Sequence, residues 1–153
     1  LARKQLPQST LFTHDLGAPL NLIAAHTLDG IICALALEYV QDLHACLAEF
    51  HRMLCPRGFL VFSIENPLLV YRRLGRNYWQ QELVEHPPTL GEAVQGYRRP
   101  LSMYLNTLRD AGFVLEHFVE AKPVDRCEAL YPEVYQKMLD APYFISIRAL
   151  KHL

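Results

Sequence analysis

Three short stretches hold the side chains best suited to chemistry: His14-Asp15-Leu16, Ala34 to Tyr39, and Glu65-Asn66-Pro67. Each sits where an apolar segment runs out, and ligands of open α/β sheets bind outside the carboxyl ends of the strands. Asp15 can accept a hydrogen bond from an exocyclic amine while the next backbone amide donates to a ring nitrogen. An Asp at a strand end is more often a turn former that bonds nearby amides. Glu38 reads as a general base or as a surface acid ahead of a helix. The surface reading is preferred, because nothing in the sequence raises its pKa. Glu65 and Asn66, an acid and an amide just past an apolar strand, suit a substrate-side role, although Asn-Pro is also a turn signal.

Other chemistries find little support. The seven histidines show no HExxH or paired spacing, so no metal site is expected. His44 and His51, seven apart on a predicted helix, are placed on its wet side. There is no GxSxG elbow. Cys33, Cys46, Cys55 and Cys127 form no CxxC pair. Cys33 and Cys46 read as small buried hydrophobes, and a reduced, cytoplasmic setting fits such usage. A net charge of −1 leaves no footprint for nucleic acid. Arg72, Arg73 and Arg76, then Arg98 and Arg99, form basic clusters that read as solvated loops rather than a phosphate site. No apolar run approaches the about 20 residues that span a bilayer, so no membrane partner is expected.

The elements that must position these residues come from the hydrophobic pattern. With 153 residues, 51% apolar and 20% charged, the chain makes one domain or a large piece of one. Ser9 to Asp15 reads as a short strand, and Leu20 to Thr27 as loop or short helix. Gly30 to Leu37 is an almost continuous apolar run, the pattern of a strand covered on both faces. Asp42 is a natural N-cap for a helix whose apolar face is Leu43, Leu47, Phe50 and Leu54. Pro56-Arg57-Gly58 stops that helix, and Phe59 to Ile64 is the next strand. Two buried strands joined by a helix predict a parallel, right-handed crossover. Residues 67–100 lose any steady period and mix aromatics with charge, which predicts a lid or substrate-shaping insertion with one or two short helices. Ser102 then caps a helix that ends at Gly112. Phe113 to Ala121 is a strand, Asp125 to Asp140 holds a helix beginning near Pro132, and Tyr143 to Ala149 is the final strand.

The stretch DGIICALALEYVQDLHACLAEFHRMLCPRGFLVFSIENP, Asp29 to Pro67, resembles the fourth strand, following helix and fifth strand of class I S-adenosylmethionine-dependent methyltransferases of the type 11 kind. YRRPLSMYLNTLRDAGFVLE is similar to their penultimate helix and sixth strand, and YPEVYQKMLDAPYFISIRALK to their closing helix and seventh strand. THDLGAPL is similar to the third strand. The resemblance implies an incomplete Rossmann-like α/β sheet, strands 3–7 of a seven-stranded fold, with the insertion after strand 5. It implies S-adenosylmethionine as cofactor and a small-molecule acceptor as partner, with methyl transfer by direct displacement. Asp15 and the amide of Leu16 would contact adenine. Cys33, Ala34 and Leu35 would lie against the methionine and ribose portion, and Tyr39 would border the methyl. Glu65, Asn66, Tyr71, Trp79, Tyr97 and Arg98 would shape the acceptor side.

One departure carries consequences. The glycine-rich loop and acidic second strand of the family are absent, and no GxG occurs among the seven glycines. Cofactor binding by this chain is therefore expected to be weak, because that loop brings backbone amides against the cofactor. In the family order 3-2-1-4-5-7-6, loss of strands 1 and 2 leaves strand 4 as an open edge. A preceding segment, a repositioned strand 3 or a second copy in a homodimer would cover it. The alternative to an enzyme is a non-catalytic fragment or pseudo-methyltransferase acting as a binding or dimerisation module.

Overall fold

Strand β1 (Leu28–Ala34) runs parallel to β2 (Leu54–Glu65), with Ile31 opposite Leu60 and Cys33 opposite Phe62. Helix α2 (Leu43–Met53) connects them. The computed structural model describes residues 2–75, 77–86 and 93–152. A four-residue helix α1 (Ala2–Gln5) opens the chain, and a 3-10 turn (Leu37–Tyr39) precedes α2. After β2 come α3 (Pro67–Leu74), the strands β3 (Glu82–His86) and β4 (Val94–Arg98), α4 (Leu101–Asp110), β5 (Phe113–Glu120), α5 (Asp125–Leu130), α6 (Pro132–Asp140) and β6 (Phe144–Lys151). The main sheet has the order β1-β2-β6-β5, with β6 antiparallel to both neighbours. That is the 4-5-7-6 portion of the order implied by the resemblance.

Helix α2 forms where the pattern placed it. The Asp42 carboxylate accepts from Ala45 N at 2.9 Å, satisfying one free amide of the first turn. Leu43, Cys46, Leu47, Phe50 and Met53 share its buried face. The helix ends ahead of Pro56, with Leu54 already extended. The Lys151 ammonium donates to the carbonyls of His51 at 2.7 Å and Leu54 at 2.9 Å, so a buried cation satisfies acceptors at the helix C-terminus. The core lies between α2, α4 and one face of the sheet, where Leu60, Phe62, Ile64, Ile145 and Ile147 meet Phe50, Tyr104 and Leu108.

Several expectations need correction. Ser9 to Asp15 forms no strand: its residues are exposed, and no described strand lies beside it. What anchors the segment that follows is α2. Leu20 is buried, its N–H donates to Glu49 at 3.0 Å, and Arg52 donates to the carbonyls of Leu20 and Ile23. The apolar run Gly30 to Leu37 is a strand only to Ala34, and it is covered on one face: Ile32 is 79% exposed. Burial alternates along β6 and along β2 from Gly58 onward, as one-sided packing requires. Ser102 is not the cap of α4. The helix starts at Leu101 after Pro100, and no side chain caps it. His51 is half-buried, its ring edge-on to Phe113 at 5.3 Å, rather than on a wet face. The insertion holds one helix, α3, and an antiparallel β3–β4 pair; Arg76 and residues 87–92 lie outside the described residues.

Because the cap of α2 is a single side-chain bond, Asp42→Ala is expected to cost about 1 kcal/mol of folding stability. Urea unfolding checks this; an unchanged midpoint would mean that the cap adds nothing.

Candidate active site

The carboxyl ends of β1 and β2 meet in a small region built by the turn after β1. Leu35 adopts the left-handed conformation with φ 49, held by its N–H bond to Ser63 O at 3.0 Å. A left-handed leucine costs about 1–2 kcal/mol, and such residues concentrate at functional sites. The turn leaves Ala34, Leu35 and Tyr39 exposed, while the 3-10 turn sends Leu37 and Glu38 inward. Arg99 fixes that turn from below. Its guanidinium, 2% exposed, donates to the carbonyls of Leu37 at 3.3 Å, Gln41 at 2.9 Å and Val40, and lies 4.8 Å from the Tyr97 ring centroid.

Glu38 is only 8% exposed, so the surface reading is overturned. One oxygen accepts from Glu65 N at 2.7 Å, tying the turn to the end of β2. The other, Oε2, is buried with no hydrogen-bond partner. Burial pushes the carboxyl pKa up and the Glu65 charge adds to this; backbone donors and Arg99 pull the other way. Arg98 is buried as well, correcting the solvated-loop reading for both Arg98 and Arg99. Its Nη2 donates to Asn77 O at 2.6 Å and lies 3.3 Å from Glu82, while Nε and Nη1 are buried without a partner. Glu38, Glu65, Tyr97, Arg98, Arg99 and Tyr104 face a common cleft of about 20 Å3 between the β3–β4 pair and the sheet. Burial, with Glu38 adding, pushes the Tyr104 hydroxyl up to about 12.

The other expected residues are placed as follows. Asp15 is exposed and its Oδ1 accepts from Gly17 N at 2.8 Å, which is turn chemistry; Leu16 packs against the core. Cys33 is buried, and burial with the nearby Glu38 charge pushes its thiol up to about 11, so it contributes wall and backbone rather than a nucleophile. Asn66 is buried, and both its amide oxygen and its amide nitrogen are engaged. Its Oδ1 accepts from Leu68 N at 3.1 Å to cap α3, and its Nδ2 donates to Pro142 O at 2.9 Å. Tyr71 and Trp79 stand exposed, joined edge-on through Tyr78, whose hydroxyl accepts from Leu101 N. A larger pocket of about 640 Å3 opens between α3 and α6, with Glu65 and Asn66 at its floor and Arg72, Arg73 and Lys137 on its rim. Among the described residues no cluster suits a metal ion. No described helix is long and apolar enough to cross a membrane.

Sequence reasoning passed over Tyr104 and the burial of Glu38 and Arg99. The available signal was an acid inside an otherwise apolar run, Ala34-Leu35-Ala36-Leu37-Glu38-Tyr39-Val40. A charge there is either expelled or enclosed with partners.

Two tests follow from this geometry. Arg99→Lys supplies charge but cannot reach three carbonyls with a planar fork, and is expected to cost about 2–4 kcal/mol by urea unfolding. A loss under half that would deny Arg99 its role. Glu38 has a folded-state pKa above its unfolded one, so the folded protein holds the proton more tightly. Its contribution to stability therefore falls as pH rises from about 4.5 through the raised value, and levels off above it. Glu38→Gln removes that dependence, so the variant gains on the parent with rising pH across this window. Parallel unfolding curves at every pH would contradict it.

The family model described as "Methyltransferase domain" matches residues 1–62. No curated protein matches the chain. Solved structures do. An S-adenosylmethionine-dependent methyltransferase from Mesorhizobium loti is 24% identical with a TM-score of 0.70, covering 97% of this chain and 74% of that one. A protein from Listeria monocytogenes assigned to the same enzymes is 23% identical with a TM-score of 0.72, covering 86% of this chain; the match spans 64% of that protein's length. The [4+2]-cyclase SpnF, 15% identical with a TM-score of 0.59, covers 99% of this chain and 60% of its own. The chain thus carries the Rossmann-like fold of the class I S-adenosylmethionine-dependent methyltransferases, and its first 62 residues match the methyltransferase-domain family.

Proposed function

We propose that this chain serves S-adenosylmethionine-dependent methyl transfer to a small-molecule acceptor. One observation carries the reading: Ala34, Leu35 and Tyr39 lie open at the end of β1, beside a buried acid with one uncommitted oxygen. The residues present fit one flank of such a cofactor. An apolar, strained turn at a strand end suits the thioether and ribose portion, with the backbone of Cys33 behind it. Asp15 and the Leu16 amide are assigned to adenine, which requires the Asp15 carboxylate to use its second oxygen. When bound, S-adenosylmethionine supplies an electrophilic methyl on a sulfonium. The chain's own work is then positioning, which can supply about 7–11 kcal/mol of barrier reduction. Glu65, Tyr97 and Arg98 close the acceptor side. Asn66 holds the wall between β2 and α3, and Tyr71 and Trp79 line the approach.

A second reading, a non-catalytic binding or dimerisation module, draws on the 79% exposure of Ile32 next to an edge that no described strand pairs. A preceding segment or a second copy would pair there. The fold alone does not decide, since one relative that shares it is a [4+2]-cyclase.

Titration of S-adenosylhomocysteine separates the two. The 153-residue chain and a version extended at its front by a glycine-rich strand–loop–strand unit are compared by calorimetry. The extended chain is expected to bind at least about tenfold more tightly, a difference of about 1.4 kcal/mol. No binding by the extended chain would sink the enzyme reading, and equal binding would show the loop to be dispensable.

A further inference from the structure

At the end of the sheet away from Glu65, a buried cation meets an exposed imidazole. Lys151, the last residue of β6, is buried, and His26, just ahead of β1, is exposed. The Lys151 ammonium has three protons and no lone pair. Two protons go to the carbonyls of His51 at 2.7 Å and Leu54 at 2.9 Å, and the third is left for His26 Nδ1 at 3.2 Å. That contact is a hydrogen bond only while Nδ1 keeps its lone pair, which puts the proton of the neutral ring on Nε2. Nδ1 also lies 3.2 Å from Leu54 O, two acceptors that are idle toward each other in this state. A proton on Nδ1 reverses both contacts. The imidazolium donates to Leu54 O, competes with the ammonium for that carbonyl, and stands 3.2 Å from a second positive charge.

The surroundings do not relieve that charge. Lys151 and His152 face His26 from β6 and the residue after it, His51 and Arg52 from α2, and Cys55 from β2. Arg52 is already paired with Glu49 at 2.9 Å, and among the described residues no carboxylate pairs with His26. The neighbouring His51 feels the same field. Burial first, then Lys151 and His26, hold its pKa below the ordinary histidine value, while a Gly112 backbone bond pulls it up. His26 also ties down its own stretch of chain. Its φ is 57, its N–H donates to Arg52 O at 3.0 Å, its carbonyl accepts from Cys55 Sγ at 3.1 Å, and Thr27 N–H donates to Met53 O at 2.9 Å.

We infer that the His26–Lys151 contact is a proton-operated latch, which holds the segment entering β1 against the end of α2 while the imidazole is neutral and releases it once the imidazole is protonated. The sign follows from linkage. In the latched state a proton on His26 meets the ammonium, whereas in the released state the ring is free in water, so falling pH favours release. Lys151 is buried and keeps its two carbonyl bonds, so the exposed imidazole is the partner that moves. The stretch it frees leads back to Leu16 and Asp15. The latch stands whether or not the chain transfers methyl groups.

Amide hydrogen exchange followed by NMR tests this on the 153-residue chain at about pH 8 and about pH 5.5, either side of the histidine titration. The readout is protection of the Thr27 amide, corrected for intrinsic exchange and divided by that of Phe62 in the middle of β2, so that global unfolding cancels. This ratio is expected to fall at least about threefold on acidification. His26→Asn keeps an acceptor near the position of Nδ1, tolerates the positive φ and does not titrate, so its ratio is expected to stay level. Lys151→Met removes the opposing charge and is also expected to level the ratio; where it fails to fold, His26→Asn carries the test alone. The nitrogen shifts of His26 are expected to show the proton on Nε2 at the higher pH. A proton on Nδ1 there would overturn the latch, as would a parent ratio that does not change with pH. A fall that persists in His26→Asn would assign the effect to His51 or His152 and overturn it too.

Discussion

A single buried guanidinium sets the geometry of the site. Arg99 donates to carbonyls of Leu37, Val40 and Gln41, residues about 60 positions earlier in the chain. Those carbonyls point the same way only if the chain makes the 3-10 turn at Leu37–Tyr39, and that turn is what drives Glu38 inward. The arginine comes from the junction of β4 and α4, so the turn after β1 and the insertion after β2 are ordered together. Tyr97 stacks on the cation and Gln81 Oε1 accepts from its Nε, extending the coupling into the β3–β4 pair. A cation buried this deeply is tolerable because oxygen acceptors replace the water it loses.

Around this interaction the sheet is packed on one side only. β6, and β2 from Gly58 onward, alternate buried and partly exposed residues, although their sequences are apolar on both faces at Phe59, Val61 and Leu150. Arg148 lies over the Phe59 ring and pairs with Glu116, giving that outer aromatic a partial cover. The single-sided core explains why the site sits at the strand ends. Leu60, Phe62 and Ile64 hold β2 against α2 and α4, which fixes Glu65 and Asn66 at its carboxyl end without help from the other face.

Much of this was legible in the sequence where a local pattern decides it. The Asp42 cap, the apolar face of α2, the strands at Phe59–Ile64 and Phe113–Glu120, and the start of α6 at Pro132 each depend on neighbours within a turn or two, whereas the separate α5 ahead of it was not anticipated. The order of strands was readable because the resemblance covered them in sequence. What stayed hidden was decided at long range. Whether Glu38, Arg98 and Arg99 meet water depends on segments that fold over them from elsewhere in the chain, and charge clusters at the surface look the same in one dimension. The strand expected at Ser9–Asp15 failed for a related reason: alternation nominates a strand, but only a pairing neighbour makes one.

The two strand-end residues of β2 show how structure and chemistry divide a short segment. Asn66 spends both amide atoms, one on the cap of α3 and one on Pro142, while its N–H bonds Tyr143 O at 2.8 Å. It locks the end of β2 to the segment leading into β6. Glu38 divides itself instead. Oε1 is structural, held by Glu65 N, and Oε2 is open. That asymmetry is what gives a buried carboxylate a directional role: the first bond sets the plane of the carboxyl, and the plane fixes where the second oxygen points. Freezing one oxygen with a backbone donor removes the rotation that a lone acid would lose on meeting its partner, so the open oxygen is preorganised. The Glu in an apolar run is therefore better understood as the hinge pin of the strand ends than as a misplaced surface charge.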